Sequence, residues 1–315
     1  MAVTTCVGGG LASRRHLAPL ATVTIATALV LAGCSDDSSK SPSPSASGVD
    51  KAAPLYGELP KAVRRAGVVK VGSEMRYPPM EFVQNGRPSG VDPDLAAFLA
   101  RQLGVKFEFV NAAFDTLLTG LQAKHYDVVM SAMSDTKDRQ QGLDPTTGEK
   151  TGKDVDFVDY FNSGVSVMVK KGNPGGVRTP ADLCGKKVAV QSGSTAYDLL
   201  QVQKCDEPID IEAYDTHAQA QARLKSGAVV ADVADYPAVA YAVKTSGGGK
   251  DFQAVGQQLN SGPYGIAVPA SNTKLRDAIR AALNTAIRDG SYKKVLDKWD
   301  VSAGAVAQAT INSGT

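Results

Sequence analysis

The sequence has few of the residues from which enzyme active sites and metal sites are usually built. Its 315 residues include only three histidines and four cysteines. His125 and His217 have no partner at metal-ligand spacing, so we interpret both as structural residues and expect neither a metal nor a cofactor. No Gly-x-Ser-x-Gly motif occurs, and residues 247–250 lack the spacing and the hydroxyl of a phosphate-binding loop. These absences favour a binding protein over an enzyme.

Long apolar runs are also scarce, and the single one present is too short to span a membrane. It covers residues 17–32, about 16 residues against the ~20 that a span needs, and it follows Arg14 and Arg15. A positive start, an apolar centre and small residues before a cleavage point are typical of a secretory signal peptide. The tetrapeptide 31–34 resembles the bacterial lipobox. This resemblance predicts a signal peptide over residues 1–33 and a lipid anchor on Cys34.

The chain after Cys34 is predicted to be a tether. Residues 35–47 are mostly Ser, Asp, Lys and Pro, with no aromatic or branched aliphatic side chain. Such a segment buries too little apolar surface to offset the entropy of ordering it. We therefore predict a flexible tether over residues 34–54, with the folded part starting near Leu55 on the outer face of the cell membrane. Both Sec and twin-arginine export stay open.

The mature chain carries no excess of charge of either sign. Cleavage removes only Arg14 and Arg15 from the 34 basic residues, which then balance the 32 acidic ones. Proteins that bind nucleic acid or an anionic membrane surface need a basic excess. We therefore expect no nucleic-acid partner.

Two cysteines remain for the folded part, Cys184 and Cys205. Residues 187–191 read as a strand of ~17 Å and residues 195–204 as a helix of ~15 Å. A helix that runs back along its strand brings the two cysteines close together. Because a disulfide persists outside the cytosol, we predict a Cys184–Cys205 bridge, with two buried free thiols as the alternative.

The folded part alternates short apolar strands with amphipathic helices, which indicates an α/β protein. Strands are predicted over 68–71, 105–110, 126–131, 165–169, 187–191, 209–213, 229–233 and 264–268. Asp92 is predicted to cap a helix with Pro93 in its first turn, and a long helix is predicted over 272–288. Two α/β units in sequence predict a crevice at the carboxyl ends of their strands, where such folds bind ligands.

Two hydroxyl-rich segments lie where a predicted strand passes into a helix. Residues 131–139 and residues 191–195 both combine Ser or Thr with a helix start, and Arg139 adds a guanidinium. Free N–H groups and hydroxyls at such points hold anions, and a guanidinium grips a carboxylate in a bidentate fork. Taken singly, each segment can equally be an ordinary helix cap. Facing each other across one crevice, they favour a ligand with a carboxylate.

Nine short segments distributed over residues 56–300 carry a resemblance to a known family. They are residues 77–82, 90–95, 120–127, 133–139, 155–157, 191–195, 235–237, 264–268 and 298–299. Together they resemble the extracellular solute-binding proteins of family 3, the polar amino-acid receptors of ABC importers.

The resemblance implies a two-lobed periplasmic-binding-protein-like fold of type II. Each lobe would be a mostly parallel sheet flanked by helices, and two hinge strands would join the lobes. Lobe 1 would comprise residues 56–163 and 264–300, and lobe 2 residues 164–263. Residues 301–315 would form a tail.

The resemblance also implies a ligand site between the lobes. Its residues would be Glu74, Tyr77, Phe114, Ser134, Arg139, Ser194, Thr195 and Asp235. Arg139 would bind the α-carboxylate, Asp235 the α-ammonium group, and Glu74 the far end of the side chain. Tyr77 and Phe114 would flank that side chain. The alternatives are a plain helix cap for Asp235 and core packing for the two aromatic residues.

The chain departs from the family pattern at two places. Val230 and Ala231 stand where the family usually has Asp-Ala, and Asp232 lies nearby in a different register. Residues 142–153 form a longer polar loop than is usual, which could rim the cleft or only decorate lobe 1.

We therefore expect a monomeric receptor that closes on a polar amino acid and presents it to a membrane ABC permease. Because Glu74 repels acidic side chains, arginine, lysine or glutamine is favoured. Two alternatives stay open. One is a dehydratase for cyclic amino acids on the same fold, with Glu74 as general acid. The other is a ligand-sensing surface lipoprotein.

Overall fold

The computed structural model describes residues 48–315, so that the predicted signal peptide, Cys34 and most of the tether lie outside the described residues. Contacts with the fold begin before Leu55. The Asp50 N–H donates to Gly104 O at 2.9 Å, and Ala53 is buried. The Ala52 N–H in turn donates to the Asp50 carboxylate at 3.0 Å. The last residues of the predicted tether therefore belong to the folded part.

Helices alternate with strands along the described residues. The helices are α1 (Lys61–Ala66), α2 (Val91–Leu103), α3 (Leu117–Gln122), α4 (Lys137–Gln141), α5 (Thr195–Gln201), α6 (His217–Ser226), α7 (Tyr236–Thr245), α8 (Thr273–Arg288) and α9 (Ser291–Lys298). The strands are β1 (Val68–Ser73), β2 (Arg76–Tyr77), β3 (Glu81–Gln84), β4 (Arg87–Ser89), β5 (Lys106–Asn111), β6 (Val128–Val129), β7 (Val155–Lys170), β8 (Lys187–Gln191), β9 (Asp210–Tyr214), β10 (Ala231–Asp235), β11 (Phe252–Pro269) and β12 (Thr310–Ile311).

One large mixed sheet organises these elements, with the strand order β5-β1-β6-β11-β7-β10-β8-β9. The strands β5, β1 and β6 are parallel to one another, and so are β10, β8 and β9. Between the two groups run β7 and β11, which have 16 and 18 residues and pair antiparallel. Because β11 pairs with β6 of the first group and β7 pairs with β10 of the second, the two long strands join the two halves of the sheet.

Each half of the sheet has its own hydrophobic core. We call the half with β5, β1 and β6 and helices α1–α4, α8 and α9 the first lobe. Its core includes Leu99, Ile279 and Leu283. We call the half with β8–β10 and α5–α7 the second lobe, whose core includes Val190 and Leu200. The apolar stripe predicted for the long helix is buried in α8, which packs against α2 and α9.

The prediction that Asp92 caps α2 is wrong. The helix begins at Val91 with Gly90 at the N-cap. Gly90 has a φ of 126°, and a Cβ there would lie 2.3 Å from Met80 O, so that this turn requires glycine. Asp92 is instead fully buried within the first turn.

Three further predictions are corrected or confirmed by the structure. The strand predicted over 126–131 is reduced to β6, although the Met130 N–H beyond it still donates to Gly72 O of β1 at 3.1 Å. Residues 301–315 are not a free tail, since they include β12, which pairs with β7. The Cys184–Cys205 disulfide is confirmed, with 5.5 Å between the two Cα atoms.

Within residues 48–315, no helix combines the length and the apolar character needed to cross a membrane.

Candidate functional site between the two lobes

The residues predicted to bind a ligand follow the ends of strands that face the other lobe. Glu74 follows β1, Ser134 lies in the loop after β6, and Asp235 ends β10. Parallel strands in each lobe bring these ends to one edge of the sheet, as open α/β folds require for a ligand site. Several of the predicted residues touch across the gap between the lobes. We call this gap the cleft.

Arg139 of the first lobe reaches across the cleft to the second. Its Nη1 donates to Ser134 O at 2.8 Å, and its Nη2 donates to Gly193 O at 2.9 Å. Its guanidinium carbon lies 5.6 Å from the centre of the Phe114 ring, within cation–π range. Burial lowers the pKa of Arg139 from its ordinary value, against the opposing charges of Asp198 and Asp235. Among residues 48–315, the partners of the Arg139 guanidinium fork are two backbone carbonyls and no carboxylate.

Asp235 of the second lobe contacts Tyr77 of the first. The Tyr77 hydroxyl donates to Asp235 Oδ2 at 3.0 Å and lies 3.2 Å from the Asp235 N–H. Asp235 occupies the N-cap position of α7, yet within the described residues its carboxylate makes no capping bond to that helix. Burial raises the pKa of Asp235, while the Tyr77 hydroxyl and the Arg139 charge oppose the shift. Its carboxylate is therefore directed at the cleft instead of at its own helix.

Glu74 is a buried carboxylate on the first-lobe side of the cleft. Its side chain is only 2% exposed, and no residue of the described chain lies within hydrogen-bond distance of Oε2. Burial raises the pKa of Glu74 to about 7, and the nearby Arg76 charge and a hydrogen bond with Gln191 only partly oppose this. An unpaired buried carboxylate is costly, so this position favours a cationic partner.

Of the three serine and threonine residues predicted to bind the ligand, two meet between the predicted loops and one caps a helix. Ser134 Oγ lies 3.4 Å from Thr195 Oγ1, which brings the two predicted loops together. Ser194, by contrast, is the N-cap of α5. Its Oγ accepts from the Tyr197 N–H at 3.1 Å and donates to Gln191 O at 2.8 Å. The structure therefore places Ser194 as a helix cap whose hydroxyl is already bonded.

The structure adds one residue pair that the sequence interpretation missed. His217, the first residue of α6, is buried, and its Nε2 lies 2.9 Å from Asp232 Oδ2. Its ring centre lies 5.3 Å from that of Tyr77 in the other lobe. Burial opposes a charge on the ring, but the Asp232 carboxylate outweighs burial and raises the pKa of His217. His217 begins the helix that follows the predicted strand 209–213, and this position was the available signal.

A second missed group supports the first-lobe side of the site. Ser131 Oγ accepts from the Glu74 N–H and donates to Glu81 Oε1, both at 2.9 Å. Asp92 Oδ2 accepts from the Ala132 N–H at 3.1 Å. Burial next to Asp92 raises the pKa of Glu81 well above its usual range. We call residues 130–136 the cleft loop. Glu81 and Asp92 bond this loop at Ser131 and Ala132, so that the Asp92 carboxylate holds the loop instead of capping a helix.

The polar loop at 142–153 also reaches the second lobe. The Thr146 hydroxyl donates to Gln201 Oε1 on α5 at 3.1 Å. The loop therefore rims the cleft.

A cavity of about 630 Å³ lies beside the cleft, between α7 and α9. Its walls include Pro79, Tyr236 and Trp299, but none of the eight predicted ligand residues. Among residues 48–315, no group of three His, Cys, Asp or Glu side chains is arranged to hold a metal ion.

Residues 69–302 match the family described as bacterial extracellular solute-binding proteins, family 3. This match covers well over half of the chain. The chain belongs to this family.

Curated relatives of this solute-binding protein are amino-acid-binding proteins. It is 28% identical to the L-arginine-binding protein of Pseudomonas aeruginosa over 73% of this chain and 87% of the relative. It is 29% identical to the arginine-binding protein ArgT of Corynebacterium glutamicum over 82% of each chain. It is also 29% identical to the L-cystine-binding protein TcyJ of Escherichia coli K12, over 75% of this chain and 84% of the relative.

Solved structures show the same two-lobed architecture. An ancestral arginine-binding protein bound to arginine is 37% identical, with a TM-score of 0.66 over 74% of this chain and 98% of that chain. An ancestral amino acid-binding protein, described as a precursor of cyclohexadienyl dehydratase, is 31% identical, with a TM-score of 0.66 over 76% of this chain and 97% of that chain.

Proposed function

We propose that this solute-binding protein is the lipid-anchored receptor of an ABC importer and binds a cationic amino acid, foremost L-arginine, between its lobes. The observation that carries the proposal is the pair of charged groups at the cleft. Arg139 comes from the first lobe and Asp235 from the second, and each is engaged by neutral groups of the protein. A zwitterion brings one carboxylate and one ammonium group, which match these two charges.

Binding in this proposal exchanges bonds within the protein for bonds to the ligand. The ligand carboxylate takes the Arg139 guanidinium from the carbonyls of Ser134 and Gly193. The ligand ammonium group takes the Asp235 carboxylate from the Tyr77 hydroxyl. Charged hydrogen bonds contribute ~1.5–3 kcal/mol each, and the bonds lost within the protein offset part of this gain. Apolar contact of the ligand side chain with Tyr77 and Phe114 supplies the rest of the ~8 kcal/mol of a micromolar site.

Glu74 supports the choice of a cationic side chain. Its buried Oε2, which no described residue bonds, offers a carboxylate to a guanidinium or ammonium group. A glutamate or aspartate ligand would place a second carboxylate beside it and be repelled. Two of the relatives carry arginine in their names, which agrees with this choice, whereas the cystine-binding relative widens the class.

The remaining parts of the proposal concern location and partners. The signal peptide over 1–33 and the acylated Cys34 anchor the protein to the outer face of the membrane, and a tether ending shortly before Asp50 keeps the lobes near an ABC permease. We propose lobe 1 as residues 56–163 and 264–300, lobe 2 as residues 164–263, and a monomer as the working form.

A thermal-shift screen with the twenty amino acids, followed by calorimetry, tests the ligand. We expect L-arginine to give the largest rise in Tm, followed by lysine or glutamine. Stabilisation by glutamate alone would contradict the role given to Glu74. A Cys34→Ala variant should lose membrane association in cells but keep the same ligand affinity in solution.

A second candidate function is a dehydratase that acts on cyclic amino acids. It is favoured by the pKa of about 7 for Glu74, which suits a general acid, and by the likeness to the dehydratase precursor. Incubation with arogenate or prephenate separates the two functions. Turnover that disappears in Glu74→Gln supports the enzyme, and unchanged substrate supports the receptor.

A further inference from the structure

The last described residues run along β7 and reach the loop after β6. We call residues 309–314 the strap. Thr310 and Ile311 form β12 and pair antiparallel with Asp159 and Val158 of β7. The match to the family ends at residue 302, so that the strap lies beyond the part of the chain that carries the family pattern.

The strap is bonded closely to β7. The Ser313 N–H and hydroxyl donate to Asp159 Oδ2 at 3.0 and 2.6 Å, and the Thr310 hydroxyl donates to the same oxygen at 3.2 Å. The Asn312 N–H donates to Phe157 O at 3.1 Å, and the Phe157 N–H donates to Asn312 Oδ1 at 2.7 Å. These bonds fix the position of the residue that follows, Gly314.

Gly314 touches the loop that carries the candidate site. Its N–H donates to Asp135 Oδ2 at 2.8 Å, in a buried position. A Cβ at Gly314 would lie 1.9 Å from Asp135 O, so that only glycine fits this approach. Asp135 is itself nearly completely buried, and its other carboxylate oxygen accepts from Gln140 Nε2 at 2.7 Å. The Asp135 N–H donates to Pro263 O at 2.8 Å.

The neighbours of Asp135 on both sides hold Arg139. Ser134 O accepts from Arg139 Nη1 at 2.8 Å. Thr136 Oγ1 caps α4 by accepting from the Arg139 N–H at 3.3 Å. The direction of the Arg139 guanidinium therefore depends on the position of residues 134–136. The strap bonds the middle residue of this segment, because the Gly314 N–H donates to the Asp135 carboxylate.

We propose that the strap is a positioning element for the ligand site, in which the Gly314 N–H, acting through Asp135, holds Ser134 and Arg139 in the geometry that receives the ligand carboxylate. The inference rests on the proposed function. A buried carboxylate that loses one of its donors is costly, so without Gly314 the loop must rearrange to find another partner. Arg139 then loses its fixed direction, although the first-lobe core is untouched.

The test compares Gly314→Ala with the wild type and with Gly57→Ala. Gly57 lies in the first lobe at a position where a Cβ would meet nothing within 4 Å, which makes it the matched control. Calorimetry measures the dissociation constant for L-arginine. Amide hydrogen exchange of the unliganded protein compares residues 134–140 with helix α8, which lies in the same lobe but makes no part of the cleft loop.

We expect Gly314→Ala to weaken L-arginine binding about tenfold or more, and to speed exchange at 134–140 by a similar factor, with α8 unchanged. Gly57→Ala should match the wild type in both measurements. An affinity within twofold of the wild type together with unchanged exchange at 134–140 would overturn the proposal. So would an equal acceleration of exchange in α8, because the strap would then be a general brace of the lobe.

Two further outcomes keep the result interpretable. If Gly314→Ala does not fold, Asp135→Asn is measured instead. The asparagine side chain has the shape of aspartate, but its single oxygen can accept from only one of Gly314 and Gln140. This variant should show the same local acceleration, and its absence counts against the strap. If the wild type binds no amino acid, the proposed function fails, whereas the exchange comparison still decides whether the strap holds the Arg139 loop.

Discussion

The Tyr77 hydroxyl lies 3.0 Å from Asp235 Oδ2 and joins the two lobes across the cleft. A second cross-lobe bond links Arg139 to Gly193 O at 2.9 Å. In each bond, one partner is a charged side chain that is proposed to bind the ligand: Asp235 in the first and Arg139 in the second. The protein thus satisfies the charges of Asp235 and Arg139 internally where the lobes meet, and a ligand must compete with these internal partners to bind.

Tyr77→Phe should favour an open arrangement of the unliganded protein. The substitution removes the hydroxyl that joins Tyr77 to Asp235, at a cost of about 1–3 kcal/mol to the closed arrangement, because a buried carboxylate loses a donor. Small-angle X-ray scattering should show a larger radius of gyration without ligand, which returns to the wild-type value with L-arginine. Tyr56→Phe is the control, because the Tyr56 hydroxyl donates to Arg64 O at 3.4 Å within the first lobe and makes no bond across the cleft among the described residues. Identical scattering of both unliganded variants would mean that this bond does not hold the lobes.

Arg139→Ala should abolish ligand stabilisation. In the proposed complex the two donors of the Arg139 fork bind the ligand carboxylate, and loss of two charged hydrogen bonds of ~1.5–3 kcal/mol each corresponds to about 100-fold or more in affinity. Arg139→Lys keeps the charge but not the fork, and should recover only part of this loss. The measurement is the dissociation constant for L-arginine by calorimetry, with Arg87→Ala on the exposed strand β4 as control. Retained micromolar binding in Arg139→Ala would remove Arg139 from the site.

The parts of the site that follow from local sequence were predictable. The sequence predicts that Arg139 and Thr195 lie at the cleft, because in both segments a strand end, hydroxyl residues and a helix start adjoin one another, and the structure brings the two loops together there. The disulfide followed from the lengths of one strand and one helix. Each strand-to-helix junction and the disulfide involve only one strand and the helix that follows it. Within such a unit, backbone geometry strongly constrains where each residue lies.

The parts that depend on distant segments were not predictable in this way. Asp92 resembles a helix cap in sequence, yet its partners are the Tyr160 hydroxyl and the Ala132 N–H, which come from other strands and loops. His217 has no neighbour in sequence that reveals its contact with Asp232. The strap bonds Asp135 across 179 residues of chain. Long-range pairing of buried polar groups leaves no periodic pattern for a single sequence to show.

Replacement of both bridged cysteines by alanine should lower stability without changing ligand affinity. The Cys184–Cys205 bond spans 21 residues of sequence, for which loop-closure entropy gives about 3 kcal/mol. The bond ties the loop after α5 to the start of β8, at the opposite end of α5 from Thr195. Urea unfolding should therefore show the loss, while calorimetry gives the wild-type dissociation constant. A weaker affinity at unchanged stability would mean that the bond positions the Thr195 loop.

Glu74→Gln should change stability and ligand affinity in opposite directions. Burial raises the pKa of Glu74 from 4.5 to about 7, so the folded protein keeps a proton that the unfolded chain releases above pH 4.5. The resulting stability is complete below that pH and is lost as the pH rises to about 7. Glutamine does not titrate. Urea unfolding at pH 8 should therefore show the variant more stable than the wild type by up to about 3 kcal/mol, and the difference should vanish near pH 4.

At pH 8, where the Glu74→Gln variant is expected to be more stable than the wild type, it should bind L-arginine more weakly. At pH 8 the ionised Glu74 pairs with the guanidinium, so the variant should bind about tenfold or more weakly. As the pH falls from 8 to 5.5, the wild-type affinity should decline toward that of the variant, whose own affinity stays level. Glu108→Gln, on the exposed side of β5, should behave as the wild type in both assays. A variant that is more stable at pH 8 and still binds L-arginine as tightly would leave Glu74 as a buried acid with no part in reading the ligand side chain.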